Sequence, residues 1–515
     1  MAIKKYILSI GLIALAAIAF GQPRSFSRRP EIFIKEFNKY IATQSTKKDA
    51  AILYTFTTKW DSAKFVEPEQ RNIINVANEM LQNDMKIPLF VLFTETMLYA
   101  KDSIDQAKYI SWSKSLLPAV KSGNKTFITL LTASRNLFKD NTIYVSPTKK
   151  WFASDDNYRF LFNDNRVQIA FRNIDLTCKA PVDQITLYNT SGSYFLDTDE
   201  WEGEKGKLTW ERVGFNKDNI YADIEGRYKL KFEIAEIYVD TVLFHNDDFL
   251  KEPLFGSFRD RASSADNIEK IKLESSKFPQ FTSFTSGLEL GSYLDGSVTF
   301  KGGYSMKGKE IMANGSPSNP SSVTITYKKQ KRVVARSNYF SLKNGRITAP
   351  ATEVTIFTDS GTIFHPKLRF NLILDKKTLV MTRGKEGLEQ APFSNDDQQV
   401  DIFADRVLWN LDLPQIEFDM TGTDTKAIIE SKDFYKDVLY DRLQHGMLKY
   451  HPLNKMRNFI VTNRKREFTF TEYARWMGSK KIYLKSQIIE LADNGYLFFN
   501  IDTDSIKVRT KLDHA

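Results

Sequence analysis

From Pro30 to about Asp140, apolar residues recur with the period of a helix. In PEIFIKEFNKYIATQ, Phe33, Phe37 and Tyr40 fall at i, i+4 and i+7, which sets them on one face. In EPEQRNIINVANEMLQ, Pro68 occupies a first turn, where its missing N–H is tolerated, and Ile73, Val76, Ala77 and Met80 form a stripe. IPLFVLFTETMLYAKDS and IDQAKYISWSKSLLPAV continue the pattern, with breaks expected at Pro118 and at Ser122-Gly123. Such stripes are more often the core of a small α-helical domain, assigned to residues 22–140, than a partner-binding groove.

After Asn141 the period shortens. Runs rich in β-branched and aromatic residues, such as GKLTWERVGF, SVTITYKKQKRVVARS and RFNLILDKKTLVMT, alternate with Asn, Asp, Ser and Gly clusters. Turn signals at this spacing predict an all-β region over residues 141–420. GKLTWERVGFNKDNIYADI and GSVTFKGGYSMKGKEIMA each couple a Gly-led strand to a second strand after a Gly-containing turn; ADRVLWNLDLPQIEFDM is a more distant echo. Repetition of this kind favours an elongated form, a β-solenoid or stacked sheets, over a pair of ordinary sandwiches. Residues 421–455 read as a helical or irregular connection. Residues 456–515 read as a winged-helix-like α+β domain, with Leu484, Ile488 and Leu491 on the inward stripe of its second helix. The fold class is therefore multidomain α and β.

The amino terminus changes where this chain is expected to work. Lys4 and Lys5 precede an apolar run from Tyr6 to Phe20, and Ala19-Phe20-Gly21 places small residues before Gln22. That is the layout of a secretory signal peptide, residues 1–21. The alternative, an uncleaved membrane anchor, needs about 20 apolar residues. No Cys follows the run, so no lipid anchor is indicated, and no later window predicts a transmembrane helix. The expected setting is the periplasm, the outer-membrane surface or the exterior. A single cysteine, Cys178, excludes an intramolecular disulfide framework and a cysteine-based zinc site, and its strand-like context predicts a buried thiol. The net charge of +10 permits anionic lipid, glycan or nucleic acid without selecting among them.

Candidate chemistry is sparse. YKKQKR has the form of a hairpin tip, and Lys328, Lys329, Lys331 and Arg332 could grip an anionic glycan or lipid head group. On the second helix of the C-terminal domain, Lys480, Lys481 and Lys485 face outward, with Arg464, Lys465 and Arg466 upstream. A DNA reader needs such cations on phosphates, yet the expected wing carries Asp502 and Asp504, which disfavours nucleic acid. His245 beside Asp247 and Asp248 suggests a metal corner, but His245, His365, His445, His451 and His514 show no ligand spacing such as HxH or HExxH, so no metal is expected. No GxSxG, Cys/His or phosphate-loop pattern is present, and no cofactor is expected. Asp197, Asp199, Glu200, Glu202 and Glu204 in DTDEWEGE could pair across a cleft as in glycosidases, but an acidic loop between strands is the preferred reading.

KLTWERVGFNKDNIYADI, TFKGGYSMKGKEIMANG, GTIFHPKLRFNLILDKKTLVMTR and NFIVTNRKREFTFTEYARWM resemble stretches of the large exported cell-envelope proteins of Bacteroidota, over most of residues 30–515. The resemblance implies an N-terminal portion of a longer chain and carries no site residue. The expected function is a non-enzymatic exported binding or scaffolding module, with envelope proteins or an anionic glycan or lipid as partners. The alternatives are a polysaccharide-active enzyme built on a β-solenoid and a DNA-binding protein using the winged helix.

Overall fold

In a computed structural model, the backbone is described for residues 25–44, 46–163, 166–263, 265, 267–384, 387–421, 426–432, 440, 443, 450–501 and 503–513. The expected export segment, His445, His514, Asp502 and most of the connection before residue 450 lie outside these. The chain divides into two compact units. The first comprises the described residues of Met1–Leu208, Ile224–Ile237 and Ala262–Ser264; the second comprises those of Thr209–Asp223, Tyr238–Arg261 and Ala265–Ala515.

The first unit opens with helices Pro30–Ala42, Lys47–Asp61, Glu67–Gln82, Ile87–Ser103, Gln106–Ser122 and Asn124–Asp140. Along this series, each helix packs against the one two places on. The expected stripe of Ile73, Val76, Ala77 and Met80 is buried, as are Phe33 and Phe37. Thr46 and Asp49 close a capping box on the second helix, and Asp105 accepts from the Lys108 N–H at 2.8 Å to start the fifth. Pro118 does not break that fifth helix, contrary to expectation. Burial of Leu116, Ala119 and Val120 on the same turns outweighs the lost backbone bond; the stop comes at Gly123, φ 124°.

The helical core continues into strands. Phe138 of the last helix meets Trp112 at 5.2 Å and Phe160 of strand Tyr158–Asn163 at 5.8 Å, so helices and first strands share one interior. Strand Arg166–Lys179 pairs along one edge with Tyr158–Asn163 and then with Lys150–Ala153, and along the other with Gln184–Phe195. Midway the register shifts, beside Asn173 and Asn189, whose φ values are 49° and 48°. Asn tolerates that left-handed backbone better than most residues, and the bulge bends both strands.

The second unit repeats this device. Strand Val298–Lys307 pairs at its start with Ser321–Tyr327 and at its end with Glu310–Asn314. Strand Arg346–Thr358 divides in the same way between Gln330–Ser337 and Tyr339–Lys343. Its other edge pairs throughout with Gly361–Ile373, across shifts that flank Pro350 and Pro366. A proline lacks the ladder N–H, so the long strands turn where the ladder is already interrupted. Phe300 from the start of one long strand packs on Phe340 at 6.2 Å, and Phe340 on Phe370 at 5.5 Å, all fully buried. Each such ring contributes roughly 1.5–3 kcal/mol by leaving water. The strands extend past the expected limit of 420 to Ile428–Ser431, held by Val400–Phe403. Periodicity alone could not show that short run, which is largely exposed.

Helices Pro452–Asn463, Phe470–Trp476 and Lys481–Asp493 follow, then antiparallel strands Leu497–Asn500 and Ser505–Val508, with Glu467–Thr469 beside the latter. Leu484, Ile488 and Leu491 point inward onto a core with Phe459, Phe468, Tyr473 and Phe499, as their spacing requires.

Candidate functional site

The Lys328-Lys329 pair forms the two-residue turn between strands Ser321–Tyr327 and Gln330–Ser337. Both residues are left-handed, φ 50° and 65°, in positions that Asn-Gly normally fills. Lys328, Lys329 and Lys331 are exposed, with the Lys328 ammonium 5.4 Å from the Tyr327 ring centre. Arg332 is committed elsewhere: its guanidinium bonds Asp359 at 3.2 Å and the Phe357 carbonyl at 3.4 Å. The turn thus holds lysines where local backbone energy favours Asn or Gly. Replacing the pair with Asn-Gly is expected to raise stability by about 2 kcal/mol, read as a higher thermal midpoint.

In the C-terminal domain three of the six cations expected to contact phosphate, Lys481, Lys465 and Arg466, are already in ion pairs. Lys481 pairs with Asp504 at 2.5 Å, and Asp504 also accepts from the Thr471 N–H at 3.1 Å. Asp504 therefore holds the start of helix Phe470–Trp476 and neutralises a lysine, instead of facing outward as a repulsive wing. Lys465 pairs with Glu472 at 3.6 Å and Arg466 with Asp513 at 2.6 Å, while Arg464 ends its helix with φ 53°. Lys480 and Lys485 remain exposed. Between them stand Ile482 and Tyr483, 75% and 69% exposed, a more apolar surface than a phosphate backbone rewards.

This domain is anchored to the neighbouring strands of its own unit by a buried ionic group. Asp401, with no exposure, accepts from the Arg509 guanidinium at 2.5 and 3.3 Å and lies 3.5 Å from the Lys511 ammonium. Arg509 also bonds the Ser394 hydroxyl, and the Gly495 carbonyl at 2.7 Å. None of these residues was singled out from sequence, since Asp401 and Arg509 lie 108 positions apart.

His365 sits close by, fully buried, its Nε2 2.7 Å from the Ala391 carbonyl and its Nδ1 accepting from the Lys367 N–H. Burial pushes its pKa down to about 3. The unfolded chain takes up this proton near pH 6.5, so the contribution to stability is complete above that value and is lost as the pH falls toward 3. Asp493 acts in the opposite sense: burial raises its carboxyl to about 6, so its contribution is lost as the pH rises through that value. Denaturant midpoints at pH 7 and 5 should show His365→Phe less acid-sensitive than the parent and Asp493→Asn more so.

The remaining candidates resolve individually. His245 stacks on Tyr221 at 4.4 Å and lies 3.6 Å from Asp223, while His451 stacks on Tyr440 at 3.6 Å. Among the described residues, no group of three His, Cys, Asp or Glu is placed to hold a metal. Cys178 is buried, its thiol pushed up to about 12 by burial. Of the acidic run, Asp197 accepts from Arg166 Nε and Nη2 at 2.8 and 2.9 Å, Asp199 accepts from the Tyr194 hydroxyl at 2.5 Å, and Glu202 pairs with Lys229 at 2.6 Å.

Glu202 and Glu204 line a cleft of about 650 Å³ on the outer face of the first unit's sheet. One row across its strands reads Arg159, Ala170, Ser193, Glu202, Lys229. The inward row beneath reads Tyr158, Phe171, Gly192, Gly203, Tyr228. A Cβ at Gly192 would lie 2.8 Å from the Trp201 ring, and one at Gly203 2.2 Å from the Tyr228 ring, so both glycines make room for aromatics. Trp201 Nε1 donates to the Tyr228 hydroxyl at 3.1 Å, and that hydroxyl meets Thr190 at 2.5 Å. The cleft floor thus rests on a bonded aromatic layer. Glu202 and Glu204 project from the same side of one strand, about 6–7 Å apart along it. That spacing falls within the range of a glycosidase carboxylate pair, although Glu202 is already tied to Lys229.

Comparison with protein-family models, curated proteins and solved structures finds no match. Among the described residues, no helix is long and apolar enough to cross a membrane.

Proposed function

We propose that this is an exported, non-enzymatic binding or scaffolding protein of the cell envelope, acting through its C-terminal domain and its lysine turn. Three helices followed by a two-stranded hairpin give the ground plan of a winged helix, and the divided long strands suit a folded stack of sheets. The observation that carries the reading is the outward face of helix Lys481–Asp493. Ile482 and Tyr483 stand exposed between Lys480 and Lys485, while Lys481, Lys465 and Arg466 are tied into ion pairs. Tyrosine and aliphatic anchors with a cationic rim suit a protein partner. A winged helix on DNA reads with polar and cationic groups. The export layout of residues 1–21 and the resemblance to Bacteroidota envelope proteins point to the same setting. The lysine turn would add an anionic contact, to a glycan or a lipid head group.

The test uses the full chain. Random-sequence duplex DNA at low salt should give no salt-dependent association, and a photoreactive group at position 483 should crosslink one defined envelope partner. Ile482→Asp should abolish that crosslink without lowering the thermal midpoint. Salt-dependent DNA binding with an unaffected crosslink pattern would reject the reading.

A further inference from the structure

We infer that the cleft on the first unit's sheet is a binding site for an anionic oligosaccharide, a site distinct from the C-terminal face and the lysine turn. The inference deepens the binding-protein reading by naming a ligand class, and its test does not depend on that reading's protein partner. The cleft is about 650 Å³, within the range of small-ligand sites. Its floor is low because Ala170 and Ser193 occupy the middle of the cross-strand row, leaving a trough between taller side chains.

The walls define the ligand. Arg159, Arg172 and Arg227 line the cleft and are exposed, with no side-chain partner among the described residues. Guanidinium forks match carboxylate, sulfate or phosphate oxygens in pairs. Lys229 already serves Glu202, so the unmatched charges are three arginines against the single carboxylate of Glu204, a net positive lining. Gln168, Ser193 and Glu204 add acceptors and donors of the kind that hydroxyl groups use. The row from Arg159 to Lys229 crosses five strands, roughly 19 Å at about 4.8 Å per step, the span of a few sugar rings.

A peptide fits less well. The site is a sheet face, where strand N–H and C=O groups are spent on the ladder, so strand addition is closed to it. Phe171, Phe195 and Tyr228 are the large apolar residues of the lining; Phe171 and Tyr228 are buried and Arg166 stacks on Phe195 at 4.7 Å, which leaves little free apolar surface for peptide side chains. The aromatic layer under the floor holds the trough in shape before any ligand arrives, which lowers the ordering cost of binding.

The experiment is calorimetric titration of the full chain with tetragalacturonate and a heparin tetrasaccharide, beside neutral maltotetraose and hexaglutamate. At least one acidic tetrasaccharide should bind with a Kd below about 1 mM, at least tenfold tighter than maltotetraose or hexaglutamate. Arg159→Ala combined with Arg172→Ala should weaken that binding at least tenfold with an unchanged thermal midpoint. Lys328→Asn with Lys329→Gly should leave it intact. Absence of binding to both acidic sugars, retention of affinity in the arginine variant, or loss of it in the lysine variant instead would each overturn the assignment. Hexaglutamate binding as tightly would also overturn it. None of these outcomes bears on the crosslink at position 483, so failure here and failure of the protein-docking reading can be told apart.

Discussion

Asp401→Ala is expected to be among the most damaging single substitutions in the second unit, costing about 3–5 kcal/mol. Asp401 is wholly buried and is the carboxylate on which both Arg509 and Lys511 converge. Burial, helped by the Arg509 charge, lowers the pKa of the Lys511 ammonium, and Asp401 is the largest influence opposing that. Removing the carboxylate strands two cations out of water, so the C-terminal domain should lose its attachment before its own core melts. Tryptophan fluorescence separates the two events when each protein is compared with its Trp476→Phe and Trp409→Phe versions, since Trp476 belongs to the helices and Trp409 to the strands. The parent should unfold with both signals together, and the variant with two transitions. Replacing the group as a whole, Asp401→Leu with Arg509→Met and Lys511→Met, should restore much of the loss, because no charge is then left unpaired. A single unshifted transition in Asp401→Ala would show that the ionic group does not hold the domain in place.

Trp201→Ala should cost a similar amount, about 3–5 kcal/mol, in the first unit. The indole is fully buried over Gly192, lies 5.6 Å from the Phe171 ring and stacks at 6.2 Å on Phe232. Its removal opens a cavity under the cleft and releases the Tyr228 hydroxyl from one partner. Trp201→Phe keeps most of the ring and loses the hydrogen bond, which predicts a smaller loss near 1 kcal/mol. Urea midpoints order the three proteins. The glycine pair makes the converse point: Gly203→Ala would drive a methyl into the Tyr228 ring, so it should destabilise although it adds apolar volume.

Helix and strand content was legible where one face is buried and the other wet. The stripes of Phe33 and Phe37, of Ile73 to Met80 and of Leu484 to Leu491 lie inward because a helix offers water only one face. The corners of the long strands were not legible. Asn173, Asn189, Pro350 and Pro366 are turn-forming residue types, yet in the fold they sit inside single strands that change partners. Pro118 misled for a related reason, since packing of its neighbours overrides a local breaker. Charge was the hardest feature to read. Asp504, expected to repel phosphate, binds Lys481, and Arg332, expected in an anion grip, binds Asp359. A sequence shows a charge and not its partner. The cleft arginines alternate with buried aromatics in YRFLF and QIAFR, so their common face was in principle visible, but their convergence requires the strand order.

The most direct test of an exported docking protein is a crosslink in living cells from a photoreactive residue at position 483, followed by fractionation. Recovery outside the cytoplasm, joined to a defined envelope partner and lost with Ile482→Asp, is the expected result. Recovery in the cytoplasm joined to nucleic acid would contradict the account and make helix Lys481–Asp493 a reader of DNA.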